Sequence, residues 1–317
     1  MILAAGGARA ESRYVFPFLE PEVRGGPTGE SVWLYQRDDR GIGISNPFDL
    51  VGPIGNGPPA NPRWNVHAVN VPVLWPDPPG WFPWFRGWAS ASPFGLGFVA
   101  MNPAVYSSGR RMTFVLNTLE TGLTGCGEYD LNVEPNQPLY HPGRTPGWRP
   151  IAEVPPLGIL DRLVLEATLR LVDETGGMEC RPGFNYRAVV LGLHLHNTLD
   201  PTDKNLGLFY QLAVYDSRGP SEPGRIRKLP RADGYFLGEH VTAVYGTAPL
   251  APGAALDVAF GLNVAPRLRE AIASAPPDMD PNPGHYRPDS YYVSIITNGD
   301  AQIIAEVEGM DVWGAID

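Results

Sequence analysis

Two strand-like segments in the second half of the chain place polar side chains where chemistry could take place. Residues 208–216 read LFYQLAVYD, with the amide of Gln211 in an apolar run, and residues 291–300 read YYVSIITNGD, ending on the carboxylate of Asp300. An amide donates and accepts hydrogen bonds, whereas a carboxylate can also transfer a proton or attack an electrophilic carbon. The two residues form the first candidate site. The alternative for Asp300 is a structural role in an Asn-Gly-Asp turn.

The phase of the segment 208–216 predicts which of its side chains face a ligand. Alternate residues of an extended strand lie on opposite faces. The set of Leu208, Tyr210, Leu212 and Val214 is the more apolar one and forms the better core face. We therefore expect Gln211 and Tyr215 to face a concave surface. The alternative is that Gln211 is buried and pairs with backbone groups. The two sets are Phe209, Gln211, Ala213 and Tyr215, and Leu208, Tyr210, Leu212 and Val214.

Histidines provide a weaker candidate site. His194 and His196 are two residues apart, which suits two metal ligands on one strand face, and His240 or Asp216 could complete the set. No third ligand has a diagnostic spacing. We therefore predict ordinary strand histidines, with no metal and no cofactor.

Other carboxylates offer alternatives to Asp300. Glu128, Asp130 and Glu134 form an acidic cluster whose oxygens could bind calcium, but the segment lacks the EF-hand pattern and fits a solvated loop better. Glu166 and Glu174 are candidate catalytic carboxylates if a cleft uses another strand. The sequence contains no nucleophile elbow, no P-loop and no dinucleotide-binding fingerprint.

The densest aromatic stretch, LWPDPPGWFPWFRGW, carries Trp81, Trp84 and Trp88. Exposed tryptophans can stack on the C–H faces of sugar rings, so the stretch could form a ligand platform. Packing in a loop-rich protein and a protein-binding patch are the alternatives.

The pattern along the chain predicts an all-β protein. Residues 162–172 (RLVLEATLRLV) alternate apolar and polar side chains with period two, as half-buried antiparallel strands do, and several later segments continue the pattern. Only APRLREAIASA reads as a helix. We predict a two-sheet antiparallel jelly-roll sandwich over residues 13–317 with one short helix and long Pro/Gly-rich loops, and with residues 20–110 loop-rich around one strand at 31–36.

Composition narrows the partners and the compartment. Lys plus Arg number 24 against 34 for Asp plus Glu, a formal charge of −10, so phosphate backbones are repelled and nucleic acid is excluded as a partner. No apolar segment reaches the ~20 residues of a membrane span. Residues 1–12 resemble a signal-peptide remnant or form a flexible terminus, which predicts a secreted, periplasmic or cell-surface protein. Cys126 and Cys180 would then form one disulfide, or else remain free thiols.

The order of elements around Gln211 resembles that of the family 12 glycoside hydrolases, which are jelly-roll endoglucanases. Their nucleophilic glutamate lies on a strand resembling YEIMIW, which FYQLAVY would overlay, and their acid/base glutamate follows a strand resembling YLVSIQAGTEPF, which YYVSIITNGDAQ would overlay. The resemblance covers residues 205–315. It places Gln211 at the nucleophile and Asp300 at the acid/base, and an amide can neither attack the sugar nor exchange a proton.

The resemblance implies a related fold more strongly than a related activity. We expect a secreted carbohydrate-active or carbohydrate-binding protein that acts on a neutral polysaccharide. The alternative is a structural or self-assembling extracellular protein, a homo-oligomer without catalysis.

Overall fold

The computed structural model describes residues 14–19, 32–37, 49–53, 64–69, 73–74, 86–92, 95–101, 112–117, 131–139, 151–176, 186–199, 207–229, 234–298 and 301–316. These residues form seventeen strands. The strands are β1 (Tyr14–Pro17), β2 (Val32–Arg37), β3 (Asp49–Pro53), β4 (Trp64–Val69), β5 (Val73–Leu74), β6 (Arg86–Ser92), β7 (Gly95–Met101), β8 (Met112–Asn117), β9 (Leu131–Pro138), β10 (Arg162–Gly176), β11 (Tyr186–Asn197), β12 (Leu208–Asp216), β13 (Arg227–Lys228), β14 (Tyr235–His240), β15 (Val258–Asn263), β16 (Tyr286–Asn298) and β17 (Ala301–Ile316).

Two sheets make up the sandwich. The nine-stranded sheet has the order β13-β14-β12-β11-β16-β9-β4-β2-β3, and the five-stranded sheet has the order β1-β17-β10-β15 with β8 also paired to β17. Strands β5, β6 and β7 form a separate three-stranded sheet. The predicted jelly-roll class is confirmed. The predicted antiparallel pairing holds for most strands, but β12 with β14 and β2 with β4 are parallel pairs.

The core lies between the two large sheets, where alternate residues of each strand are buried. In β10, Leu163, Leu165, Ala167, Leu169 and Leu171 are at most 1% exposed, as the period-two pattern predicted. Each fully buried aliphatic side chain of this kind contributes roughly 1.5–3 kcal/mol of hydrophobic free energy. The outer face of each sheet is therefore defined by the residues between these buried ones.

Helices occupy little of the described chain. The predicted helix is present as Ala265–Ala273, with Pro266 in its first turn and Leu268 and Ile272 fully buried. A second, short helix at Val241–Tyr245 replaces the second half of YFLGEHVTAVYG, one of the later segments whose period-two pattern predicted a strand. Three 3-10 helices lie at Ile151–Glu153, Leu157–Ile159 and Pro283–His285.

The short helix has local signals at both of its ends. The His240 side chain accepts a hydrogen bond from the backbone N–H of Thr242, as an N-cap residue does, and Gly246 ends the helix at φ +64°. These caps override the strand pattern of the same residues. Strand β14 consequently stops at His240.

The region 20–110 contains more regular structure than predicted. We expected mainly loops around one strand, and β2 matches that strand, but the region contains six strands, β2 to β7. Proline and glycine interrupt these strands often, which hid them from the period-two pattern.

A buried ion pair attaches the Ala265–Ala273 helix to the nine-stranded sheet. Oε1 of Glu239 accepts hydrogen bonds from Nε of Arg267 at 2.8 Å and from Nη2 at 2.6 Å. The Glu239 side chain is 0% exposed and that of Arg267 is 17% exposed. Removing one partner of such a pair leaves an uncompensated charge in the interior.

Arg267→Ala should therefore lower the free energy of unfolding by about 3–5 kcal/mol, measured by denaturant titration. The matched control is Glu270→Ala, which removes the 72% exposed carboxylate that also lies 3.3 Å from Arg267. Glu270→Ala should lower the free energy of unfolding by less than about 1 kcal/mol. Equal losses in the two variants would show that the buried pair does not hold the helix.

Buried tyrosines make the stability of the fold depend on pH in the alkaline range. The hydroxyl of Tyr291 donates to the Glu166 carbonyl at 2.7 Å, and that of Tyr235 donates to the Asp278 carbonyl at 2.6 Å. Burial raises the pKa of Tyr210 and of Tyr291 well above the usual value, and it raises the pKa of Tyr245 to about 12. The folded state thus keeps protons that the unfolded state releases near pH 10.

The contribution of these tyrosines to the free energy of unfolding should be complete below pH 10 and be lost as the pH rises from 10 through about 12. Each fully buried tyrosine should remove about 1.4 kcal/mol per pH unit in that window. Unfolding titrations between pH 8 and pH 11.5 measure the slope. Tyr245→Phe should reduce it, and an unchanged slope in that variant would contradict the contribution of Tyr245.

Candidate functional site

Gln211 lies on the outer face of the nine-stranded sheet, the face that points away from the five-stranded sheet. Its neighbours Tyr210 and Leu212 are 0% exposed in the core, whereas Gln211 is half-buried on the other side of β12. The segment is extended from Leu208 to Asp216. The predicted phase of residues 208–214 is therefore confirmed.

Two glycines flank Gln211 in the sheet, and an aromatic ring lies over each of them. Gly192 of β11 and Gly238 of β14 are its partners in the two neighbouring strands. A Cβ atom at Gly192 would overlap the ring of Tyr292, and one at Gly238 would lie 2.7 Å from Cε1 of Phe236. Nε2 of Gln211 donates a hydrogen bond to the Tyr292 hydroxyl at 3.2 Å. The amide is thus flanked by aromatic rings on both sides.

A row of planar side chains crosses the sheet beside this amide. His194 and Phe209 are stacked, with ring centroids 4.3 Å apart and an interplanar angle of 26°. Phe209 pairs in register with Phe236, and the guanidinium of Arg227 lies 5.0 Å from the centroid of the Phe236 ring. The row spans β11, β12, β14 and β13, three strand spacings or roughly 14 Å. We call these four residues the planar row.

Asp289 orients the histidine of the planar row. Nδ1 of His194 is hydrogen-bonded to Oδ2 of Asp289, and Nε2 faces Gly207, where a side chain would collide with the ring. His240 instead caps the short helix, and burial lowers its pKa. The described residues contain no cluster of three or more His, Cys, Asp or Glu that could hold a metal ion.

Tyr215 does not share the face of Gln211, so that prediction is wrong. A β-bulge in the pairing with β11 adds one residue, Val214, between Ala213 and Tyr215. The extra residue reverses the alternation. Tyr215 is therefore 8% exposed within the core cluster, where burial and then the charge of Glu174 raise its pKa.

The two alternative catalytic carboxylates, Glu166 and Glu174, lie away from Gln211. Oε1 of Glu166 accepts a hydrogen bond from Nε1 of Trp313 at 2.8 Å on the five-stranded sheet, between the inward-pointing Leu165 and Ala167. Glu174 forms an ion pair with Arg187 that links the two sheets. Neither carboxylate is on the outer face that carries Gln211.

Asp216, Glu134 and Asp289 are described carboxylates on or beside the outer face, but they lie far apart. Asp216 pairs with Ala188 and is three strands, or ~14 Å, from β9. Glu134 of β9 is 8% exposed and lies opposite Ser294 by the register of β9 and β16, and Asp289 is five residues before Ser294 on β16. Five residues of strand are ~17 Å. A retaining glycosidase needs its two carboxyl groups about 5–5.5 Å apart, and an inverting one about 6.5–9.5 Å.

Several predicted residues lie outside the described part of the chain. They are Trp81, Trp84, Cys126, Glu128, Asp130, Cys180 and Asp300. For Trp88 the structure describes only the backbone of β6. The tryptophan platform, the disulfide and the role of Asp300 stay predictions.

The sequence reasoning missed Phe236, Tyr292, Arg227 and Asp289. One signal could have found the two rings, because Gly192 and Gly238 interrupt otherwise regular strands in VVLGLHL and YFLGEH. A lone glycine inside a strand marks a place where another group approaches closely. The identity of the group that approaches each glycine depends on which strands pair.

Known proteins resemble the chain in fold. No family model and no curated protein sequence matches it. An endoglucanase from Rhodothermus marinus is 10% identical, with 73% of this chain and 92% of that chain covered and a TM-score of 0.38. A metagenome-derived family 12 endoglucanase is 12% identical, covering 78% and 96%, with a TM-score of 0.40. A family 12 xyloglucanase from Bacillus licheniformis is 11% identical, covering 78% and 98%, with a TM-score of 0.38.

These neighbours are the jelly-roll glycoside hydrolases that the strand order and short motifs predicted. At such identities and TM-scores the resemblance is weak and concerns the fold alone. Among the described residues, neither α-helix has the length and hydropathy that a membrane span requires.

Gly192→Ala should displace the Tyr292 ring and break its hydrogen bond with Gln211. We expect a loss of about 1–3 kcal/mol of stability from the added methyl group, measured by denaturant unfolding. The matched control is Gly261→Ala in strand β15, where a Cβ atom has nothing within 4 Å. A tolerated Gly192→Ala, as stable as the control, would contradict the packing of Tyr292 over Gly192.

Proposed function

We propose that the protein binds a polysaccharide chain on the outer face of the nine-stranded sheet. The observation that carries this proposal is the Gln211 amide set between the rings of Phe236 and Tyr292 and beside the planar row. Sugar rings present apolar C–H faces and polar hydroxyl edges. Aromatic rings fit the first, and an amide that both donates and accepts fits the second.

The size of the planar row suits a polymer. Roughly 14 Å of planar surface accommodates about three consecutive sugar units when each covers one strand spacing of ~4.8 Å. Phe209 and Phe236 are half-buried, so each ring exposes part of its surface while the sheet holds it in place. A preformed surface of this kind loses little side-chain entropy on binding.

Recognition without cleavage is the activity that the described residues support. The position matched to a nucleophile holds an amide, and the described carboxylates on or beside the outer face, Asp216, Glu134 and Asp289, are at least ~14 Å apart from one another by strand register. That separation exceeds the range of both hydrolytic mechanisms. We also propose that the polymer backbone is built mainly of neutral sugars and that binding takes place outside the cell, as residues 1–12 predict.

Affinity electrophoresis in gels that contain soluble β-glucan or xyloglucan tests the proposal. Gln211→Ala should weaken retention about fivefold, since one hydrogen bond contributes about 1 kcal/mol, and Phe209→Ala should weaken it five- to tenfold. The matched control is Gln302→Ala, an amide on the five-stranded sheet that donates to Asp173 at 2.6 Å. Equal weakening in all three variants, or no retention of the wild type, would overturn the binding site.

Cleavage is measured separately by the release of reducing ends. We expect none above background from the wild-type protein. If reducing ends appear, the recognition-only assignment is wrong, and Asp300→Ala then tests that carboxylate. Lost turnover in the variant would assign Asp300 to the mechanism, and unchanged turnover would remove it.

A further inference from the structure

The planar row ends at the sheet edge on a positive charge. Arg227 lies in the short edge strand β13, in register with Phe236 and on the same face, and its guanidinium lies 5.0 Å from the ring centroid. The next residue, Lys228, lies opposite Tyr235 on the other face and pairs with Asp278 at 3.4 Å. Alternation therefore sends Arg227, and not Lys228, toward the proposed ligand.

Arg227 differs from most arginines of the described chain in its partners. Within the described residues, the side chain of Arg227 forms no ion pair and no hydrogen bond. Its one interaction there is with the ring of Phe236. Arg225 is likewise exposed without a partner in the described part, and the buried Ile226 separates the two. Six other arginines reach a carboxylate or a backbone carbonyl: Arg170, Arg187, Arg218, Arg267, Arg269 and Arg287.

The overall charge makes this exception informative. The chain has ten more acidic than basic residues, yet Arg227 faces the ligand surface and pairs with no carboxylate in the part of the chain that the structure describes. A guanidinium stacked on an aromatic ring is partly immobilised, and its planar fork matches two oxygens of a carboxylate or a sulfate. The proposed surface thus has a prepared anion-binding end.

We propose that the bound polysaccharide carries an anionic group, a uronate carboxylate or a sulfate ester, which Arg227 binds at the β13 end of the planar row. This inference rests on the proposed function, because the neutral sugar units of the same chain lie on Phe236 and Phe209. The anionic group adds a charged contact that a purely neutral chain lacks. The substrate class is therefore an acidic or acid-substituted polysaccharide.

Calorimetric titration with three hexasaccharides of one β-1,4-linked glucose backbone tests the inference. The probes are the neutral cellohexaose, its form oxidised at C6 to glucuronate, and its sulfated form. At low salt the wild type should bind an anionic probe about fivefold more tightly than cellohexaose, and 0.5 M salt should remove most of the difference. Comparing the two anionic probes distinguishes a carboxylate from a sulfate.

Arg227→Gln should lower the affinity for the anionic probe more than the affinity for cellohexaose and so remove the preference for the anionic probe. Lys228→Gln is the matched control, since it removes a neighbouring charge on the opposite face and should keep the preference. Equal binding of neutral and anionic probes by the wild type, or an unchanged preference in Arg227→Gln, would overturn the inference while the polysaccharide site stands. Binding of none of the probes would instead count against the proposed function.

Discussion

The alternation of side chains along β12 is the constraint on which the site depends. Tyr210 and Leu212 are completely buried between the two sheets, and their burial commits Gln211 to the opposite face. Moving the amide inward would require a one-residue slip that exposes the entire apolar set of the strand. The hydrophobic energy of the core thus holds a polar group at the surface, although no single contact of Gln211 is strong.

Strand pairing then converts one half-buried amide into a shaped site. Because β11 and β14 each contribute a glycine beside Gln211, the rings of Tyr292 and Phe236 can lie flat on the sheet instead of standing away from it. Flat rings leave the amide accessible and give it apolar neighbours. The result suits a ligand with alternating apolar and hydroxyl surfaces better than it suits proton transfer, which needs two carboxyl groups at short range.

Charge is distributed differently inside the sandwich and on its outer face. Inside, Glu239 pairs with Arg267 and Glu174 with Arg187, so the buried charges are compensated where the Ala265–Ala273 helix and the two sheets meet. On the outer face Arg227 lies over an aromatic ring and forms no ion pair with any described residue. The buried pairs serve the architecture, whereas the guanidinium of Arg227 faces the proposed ligand.

The sequence by itself determined the class of fold, the strand that carries Gln211 and the face on which its amide lies, because burial alternates with a fixed period that apolar residues reveal. It also indicated the Ala265–Ala273 helix through its apolar stripe and Pro266. It did not reveal the bulge that turns Tyr215 inward, since a bulge depends on the register between two strands. The tertiary structure alone decided that Tyr292 and Phe236 lie beside Gln211 and that Arg227 lies over Phe236, because these contacts run between different strands and follow from pairing, which a local pattern does not encode.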